Sequence, residues 1–298
     1  MLPTITKARP VDYLAMGLTA LTWASAFVAI KVVVPETGPL WLATWRVLIG
    51  FIVVTPYVLW RGLLFPRSAR MWALVAIASV FNVVIPFFLI SWAEKTIDAG
   101  VAALLMGTGP FLALLGSHLL TSDDRITRNK AIGVLMGFAG ILCVVGVDSL
   151  RGLGGQTLLA QLAAIGGAMS YVVAGLMVRR IDFPPIRLGW LILGCGSIIL
   201  LALSLMIDGK PELALSGTAL VTLLYLGIVP TGLGQILRFL LIRKVGYALF
   251  SLSLNLIPVF GVLLGALFLG EVISLTTMLA LALVIAGLLI SQLGPPPK

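Results

Sequence analysis

The sequence predicts an all-α integral membrane protein of ten transmembrane helices, built as two inverted five-helix repeats around a central cavity. Three observations carry this: an apolar content beyond that of soluble chains, ten apolar runs of spanning length, and a repeat at half the chain length. Of 298 residues, 60% are hydrophobic and 10% charged, with a mean hydropathy of +1.15. Soluble domains carry about 45–50% apolar and about 25% charged residues, and a soluble fold could not hide the excess. A water-soluble enzyme or a nucleic-acid-binding domain is excluded, although the isoelectric point is near 10.0. At about 20 apolar residues per crossing, the chain holds ten crossings and short loops.

In order, the runs fall at 12–34, 39–60, 71–92, 98–120, 131–147, 157–179, 186–207, 217–240, 247–269 and 275–293. Each is read as a helix, because only helices and closed barrels satisfy their backbone in lipid and the runs lack the alternation of barrel strands. The first follows Lys7 and Arg9 like a signal peptide, but it is too long and lacks a small-residue cleavage site, so it is read as retained. Connections such as 35–38 and 122–130 leave no room for a soluble domain, so binding has to occur within the bundle. With both termini cytoplasmic, fourteen basic residues fall inside, among them Arg61, Arg67, Arg70, Arg179, Arg180 and Lys244, against four outside: Lys31, Lys95, Arg151 and Lys210. That bias predicts a cytoplasmic-membrane protein with both ends inside.

Sliding the chain by 148 residues pairs Trp23 with Tyr171, Lys31 with Arg179, Lys95 with Arg243, Pro110 with Pro258 and Asp123 with Glu271. Near the end the register slips by one, so Ala139-Gly140 answers Ala286-Gly287. The expected halves are 1–148 and 149–298. Five spans per half is an odd number, so the second half enters the membrane inverted. Inverted repeats are a recurrent architecture of secondary transporters, with substrate bound near the midplane.

The stretch Leu21-Thr-Trp-Ala-Ser-Ala-Phe-Val-Ala-Ile-Lys31 resembles the opening of an EamA domain. So do Ala99-Gly-Val-Ala-Ala-Leu-Leu with Pro110 and Asp123, and their counterpart Leu252-Ser-Leu-Asn-Leu-Ile-Pro258 through Leu269-Gly-Glu271. Tandem EamA domains make the ten-helix exporters of the drug/metabolite transporter superfamily, and within it the chain is most similar to YddG-type amino-acid exporters. The resemblance implies export of small metabolites, amino acids foremost, with nucleosides, drugs or other neutral metabolites as the alternative cargo. One departure is Ser122-Asp-Asp124, where the family usually has Gly-Glu.

Candidate site residues follow from polarity and kinks at depth. Pro86, Pro110, Pro230 and Pro258 lie inside the third, fourth, eighth and ninth spans; each removes a helical hydrogen bond and kinks its helix, as the wall of a cavity would require. Asn82, Thr108 and Asn255 are polar near mid-span and should face the interior. An asparagine both donates to a carboxylate and accepts from an ammonium. Trp23 and Tyr171 occupy matching mid-depth positions, away from the interfacial belts, and could stack on an apolar side chain. Gln235 and Ser253 lie on the same path, nearer the cytoplasm, where helix packing competes with substrate contact. Arg46, about 10 Å into the second span, could attract a substrate carboxylate; snorkelling or a carbonyl partner is the competing reading, as it is for Arg238.

All eleven acidic residues lie at span ends or in loops, which argues for neutral or zwitterionic cargo over a proton-coupled pump of aromatic cations. His118 is the single histidine, so neither a serine–histidine pair nor a His-Glu-x-x-His metal site can be assembled, and no enzyme is expected. Cys143 and Cys195 sit in different spans without other soft ligands, so no metal, disulfide or other cofactor is expected. Gly133-x-x-x-Gly137 and Gly261-x-x-x-Gly265 read as helix-packing faces within a monomer. The expected partners are a small-molecule substrate and the lipid bilayer, with no nucleic acid.

Overall fold

A computed structural model describes residues 9–112, 128–145, 156–178, 181–211, 214–245 and 247–292. A helix covers the whole or part of each expected span among them. Helices α1 (10–37) and α2 (39–60) are divided by Gly38, whose φ of 71° favours glycine and which is followed by Pro39. Then come α3 (Ala69–Ala93), α4 (Ala99–Leu112), α5 (Arg128–Val145), α6 (Gln156–Val178) and α7 (Pro185–Ile207). The last three are α8 (217–245), α9 (247–269, interrupted at 255–256) and α10 (Leu275–Gln292). Ser68 and Ser216 cap α3 and α8, their hydroxyls accepting from the amides of Met71 and Ala219. The later part of the fourth span, with His118 and Asp123, lies outside the described residues.

Repeat-related helices pack against each other in opposite directions. Along α4 and α9, Gly100 meets Gly265, Ala103 meets Gly261 and Gly107 meets Pro258, so one number falls as the other rises. Along α5 and α10, Gly133 meets Gly287 and Gly140 meets Ala280. The second pair repeats the first after the one-residue slip read from the sequence. Two counterparts that run antiparallel are inverted copies, as the odd number of spans requires.

Both glycine spacings serve these contacts. A Cβ on Gly261 would lie 2.2 Å from the Ala103 Cβ, and one on Gly133 would lie 2.5 Å from the Gly287 carbonyl oxygen. Gly261→Ala is therefore expected to cost about 1–3 kcal/mol through overpacking. Gly17→Ala, with nothing within 4 Å of the added methyl, should leave stability unchanged or slightly raised. Thermal melting of the two variants in the same lipid checks this, and equal melting temperatures would contradict the packing.

Polar contacts between loops fix which ends lie together. Glu36 accepts from the Ser216 amide and hydroxyl at 2.8 and 2.7 Å, and Glu271 accepts from the amides of Ala99 and Gly100 at 2.6 and 2.9 Å. At the opposite ends of these helices, Lys244 pairs with Asp12, and Arg187 donates to the carbonyls of Arg61 and Gly62. This is the alternation that ten crossings require.

Candidate functional site

Helices α3 and α8 each open into a π-helical turn, Val80–Val84 and Gly227–Leu233. The two are repeat counterparts: Asn82 in one answers Pro230 in the other. Such turns displace backbone carbonyls from their usual partners. Here the opposite half supplies donors. The Trp23 indole on α1 donates to the Pro230 carbonyl at 3.1 Å, and the Ser170 hydroxyl on α6 donates to the Phe81 carbonyl at 2.9 Å. Within α8, the Thr231 hydroxyl takes the Leu226 carbonyl at 2.8 Å. These three carbonyls are thus met by protein donors.

The prolines accordingly do different work from that expected. Pro258 stands in the first turn after the break at 255–256, where a missing amide is harmless, and Pro86 directly follows the π-turn of α3. Pro110 follows the break at 107–108 and is exposed; Pro230 alone sits inside its π-turn. Gly107 and Pro258 touch, since a Cβ on Gly107 would lie 2.3 Å from the Pro258 ring. The breaks of α4 and α9 therefore cross at one point.

Arg46 corrects both competing readings. It is 6% exposed, so it does not snorkel, and among the described residues no backbone carbonyl accepts from it. Its guanidinium carbon lies 3.9 Å from the centroid of the Phe87 ring, and Nε donates to the Thr231 hydroxyl at 3.4 Å. A guanidinium is weakly hydrated and stacks on an aromatic face, which makes it a cation that tolerates this depth. Tyr171 and Glu94 are the ionisable groups that act on it. Tyr171 also feels Arg238 and packs against both large apolar clusters, one built mainly on α1, α4 and α6 and the other on α2, α3 and α7.

The remaining candidates divide by whether their polar atoms are already used. Thr108 and Ser253 are buried but donate locally, to the carbonyls of Leu105 and Phe250, both at 2.6 Å. Both hydroxyls relieve local breaks and are spent there. Asn82 and Asn255 are half-buried and make no side-chain hydrogen bond among the described residues. Gln235 has a buried carbonyl oxygen without a partner. Trp23, besides its bond to Pro230, packs edge-on to Phe250 at 6.1 Å. Trp23→Phe would keep the ring and strand the Pro230 carbonyl, an expected loss of about 1–3 kcal/mol. Melting of the purified variant tests it, and an unchanged midpoint would show that the carbonyl has another partner.

Two features escaped sequence reasoning. Lys31, counted as an outer-loop charge, reaches into the protein and donates to the carbonyls of Glu94 and Ile97 at 2.9 and 2.7 Å. It thus closes the C-terminal end of α3, where a cation is favoured. Glu94 does sit at a helix end, yet it is fully buried and neither carboxylate oxygen has a hydrogen-bond partner among the described residues. The signal available was weak: Lys31 pairs with Arg179 across the repeat, but nothing marks a terminal glutamate as covered. A cavity of about 470 Å³ lies between α2, α3 and α7, lined by Leu40, Phe88, Trp92 and Leu203. It shares α2 with Arg46 and α3 with Asn82 and Pro86.

The profile of the EamA-like transporter family matches this chain twice, over residues 12–146 and 157–292. The chain is 26% identical over 280 residues to a protein of Streptantibioticus cattleyicolor named "Probable terminal-alkyne amino-acid exporter", covering 93% of this chain and 91% of that one. It is likewise 26% identical over 276 residues to the inner membrane transporter YedA of Escherichia coli K12, covering 92% and 88%. A crystal structure 22% identical in sequence superposes with a TM-score of 0.67 over 96% of this chain and 98% of its own. The two matched regions hold α1–α5 and α6–α10, and the chain belongs to the EamA-like transporters.

Proposed function

We propose that the protein exports amino acids across the cytoplasmic membrane by alternating access, with both termini in the cytoplasm. The observation that carries the substrate class is Arg46: a buried guanidinium between α2, α3 and α8 to which no carboxylate is bonded among the described residues. Such a group suits a substrate carboxylate. Asn82, Asn255 and Gln235 keep unused polar capacity for the remainder of a zwitterion. The name of the Streptantibioticus relative points to the same class. In this reading, the two halves rock about the crossing of Gly107 and Pro258, and the contacts Trp23–Pro230 and Ser170–Phe81 join each half to the other as it moves.

Counterflow tests the reading. Proteoliposomes preloaded with an unlabelled amino-acid mixture receive a trace of labelled threonine, methionine or phenylalanine outside. Saturable accumulation of label is expected. Protein that is folded and shows no accumulation with any amino acid would end the amino-acid assignment while leaving the family membership intact.

A further inference from the structure

Glu94 ends α3 with no accessible surface, and among the described residues nothing donates to either of its carboxylate oxygens. An ionised carboxylate in such a place is strongly disfavoured, and groups so held neutralise instead. Ser91, three residues earlier and hence on the same face of α3, has a buried hydroxyl that is also without a partner. The charged groups that face Glu94 come from three other elements: Lys31 on α1, Arg46 on α2 and Glu271 after α9. Among the described residues none of the three bonds to the Glu94 carboxylate. The Lys31 ammonium holds the Glu94 and Ile97 carbonyls, Arg46 lies on Phe87 and Thr231, and Glu271 takes the amides of Ala99 and Gly100. The two carboxyl groups are unequally supplied with amide donors. Glu271 is the supplied one. A Cβ on Gly265 would stand 2.2 Å from its Oε2, so the glycine leaves room for that carboxylate.

We propose that Glu94 is a proton-binding site at the outer junction of α1, α3, α4 and α9, protonated while the junction is closed and deprotonated when it opens. The step is a single acid dissociation: the O–H bond breaks, the electron pair stays on the carboxylate and the proton passes to external water. Lys31 and Arg46 then supply the positive charge that steadies the new anion. Opening releases a proton, so external alkali favours the open form and external acid the closed one, by up to about tenfold per pH unit.

The primary test needs no substrate. Infrared spectra of the lipid-reconstituted protein at neutral pH should contain a protonated-carboxyl C=O band. That band should vanish in Glu94→Gln, persist in Glu94→Asp and persist in Glu271→Gln. Absence of the band at neutral pH, or its loss in Glu271→Gln instead, overturns the proposal. If Glu94→Gln does not fold, a shift of the band in Glu94→Asp assigns it, and an unshifted band there overturns the proposal. A second measurement rests on the transporter reading. Exchange of an accepted amino acid should fall as external pH is lowered in the wild type and lose that dependence in Glu94→Gln. Identical pH profiles in the two proteins would also overturn it, whereas a lack of any counterflow would count against the substrate assignment only.

Discussion

Arg46→Lys is expected to lower the efficiency of amino-acid counterflow about tenfold or more while leaving the protein folded. Lysine keeps the charge but loses the planar face that lies 3.9 Å from the Phe87 ring centroid, and loses the fork that binds a carboxylate through two parallel bonds. The lost cation–π contact is worth about 0.5–2 kcal/mol. The ring contact is internal to the protein, so its loss bears on stability; the tenfold loss of affinity, about 1.4 kcal/mol, is expected from the missing fork to the substrate carboxylate. Arg46→Gln should do more damage, because it removes the charge that attracts the substrate and one of the two that face Glu94. Concentration dependence of counterflow separates the effects: a raised half-saturation for Arg46→Lys is the expected signature. Unchanged kinetics in both variants would remove Arg46 from the substrate path.

Lys31→Met carries the largest expected effect on stability. It deletes two charge-assisted hydrogen bonds to the carbonyls of Glu94 and Ile97 and leaves both oxygens without that donor. Bonds to charged groups contribute about 1.5–3 kcal/mol each, and part of this is lost to hydration because Lys31 is only half-buried. A net loss of roughly 3 kcal/mol would lower the melting temperature by about 5–10 °C in a chain of this size. Lys31→Arg retains donors and charge at the helix end and should recover most of the difference. Melting of the three proteins in one lipid composition checks the prediction. Equal midpoints would mean that water replaces the ammonium at no cost.

The ten helices and their inversion were legible because both follow from properties that add along the chain. Apolar length decides whether a segment can span, and an odd number of spans decides the orientation of a duplicated half. The glycine faces were legible for a related reason: residues four apart share a helix face, whatever that face meets. Gly261 against Ala103 and Gly133 against Gly287 needed only a neighbour. The prolines were legible as markers of irregular helix but not as the breaks themselves. Asn82 lies in the wide turn of α3, before Pro86, and Thr108 lies in the turn of α4, before Pro110. A helix can widen ahead of a proline by amounts that only its neighbours determine.

Composition and periodicity by themselves determined that the chain resides in a membrane, how many times it crosses, that its halves are copies and where polar groups lie in depth. These are one-dimensional properties, since each residue contributes according to its own transfer free energy and its place in the helix. Tertiary structure alone decided which polar groups are spent and which remain available. Thr108, Ser253 and Trp23 look as suitable as Asn82 and Asn255 in the sequence, yet the first three are bonded to backbone carbonyls. Glu94 reads as a loop residue and is fully buried, while Glu271, equally terminal, sits on the amides of α4. Hydrogen bonding is directional and short-ranged, so the fate of Trp23 and Glu271 depends on helices distant in sequence that only the folded chain brings within reach, while the local breaks of their own helices decide that of Thr108 and Ser253.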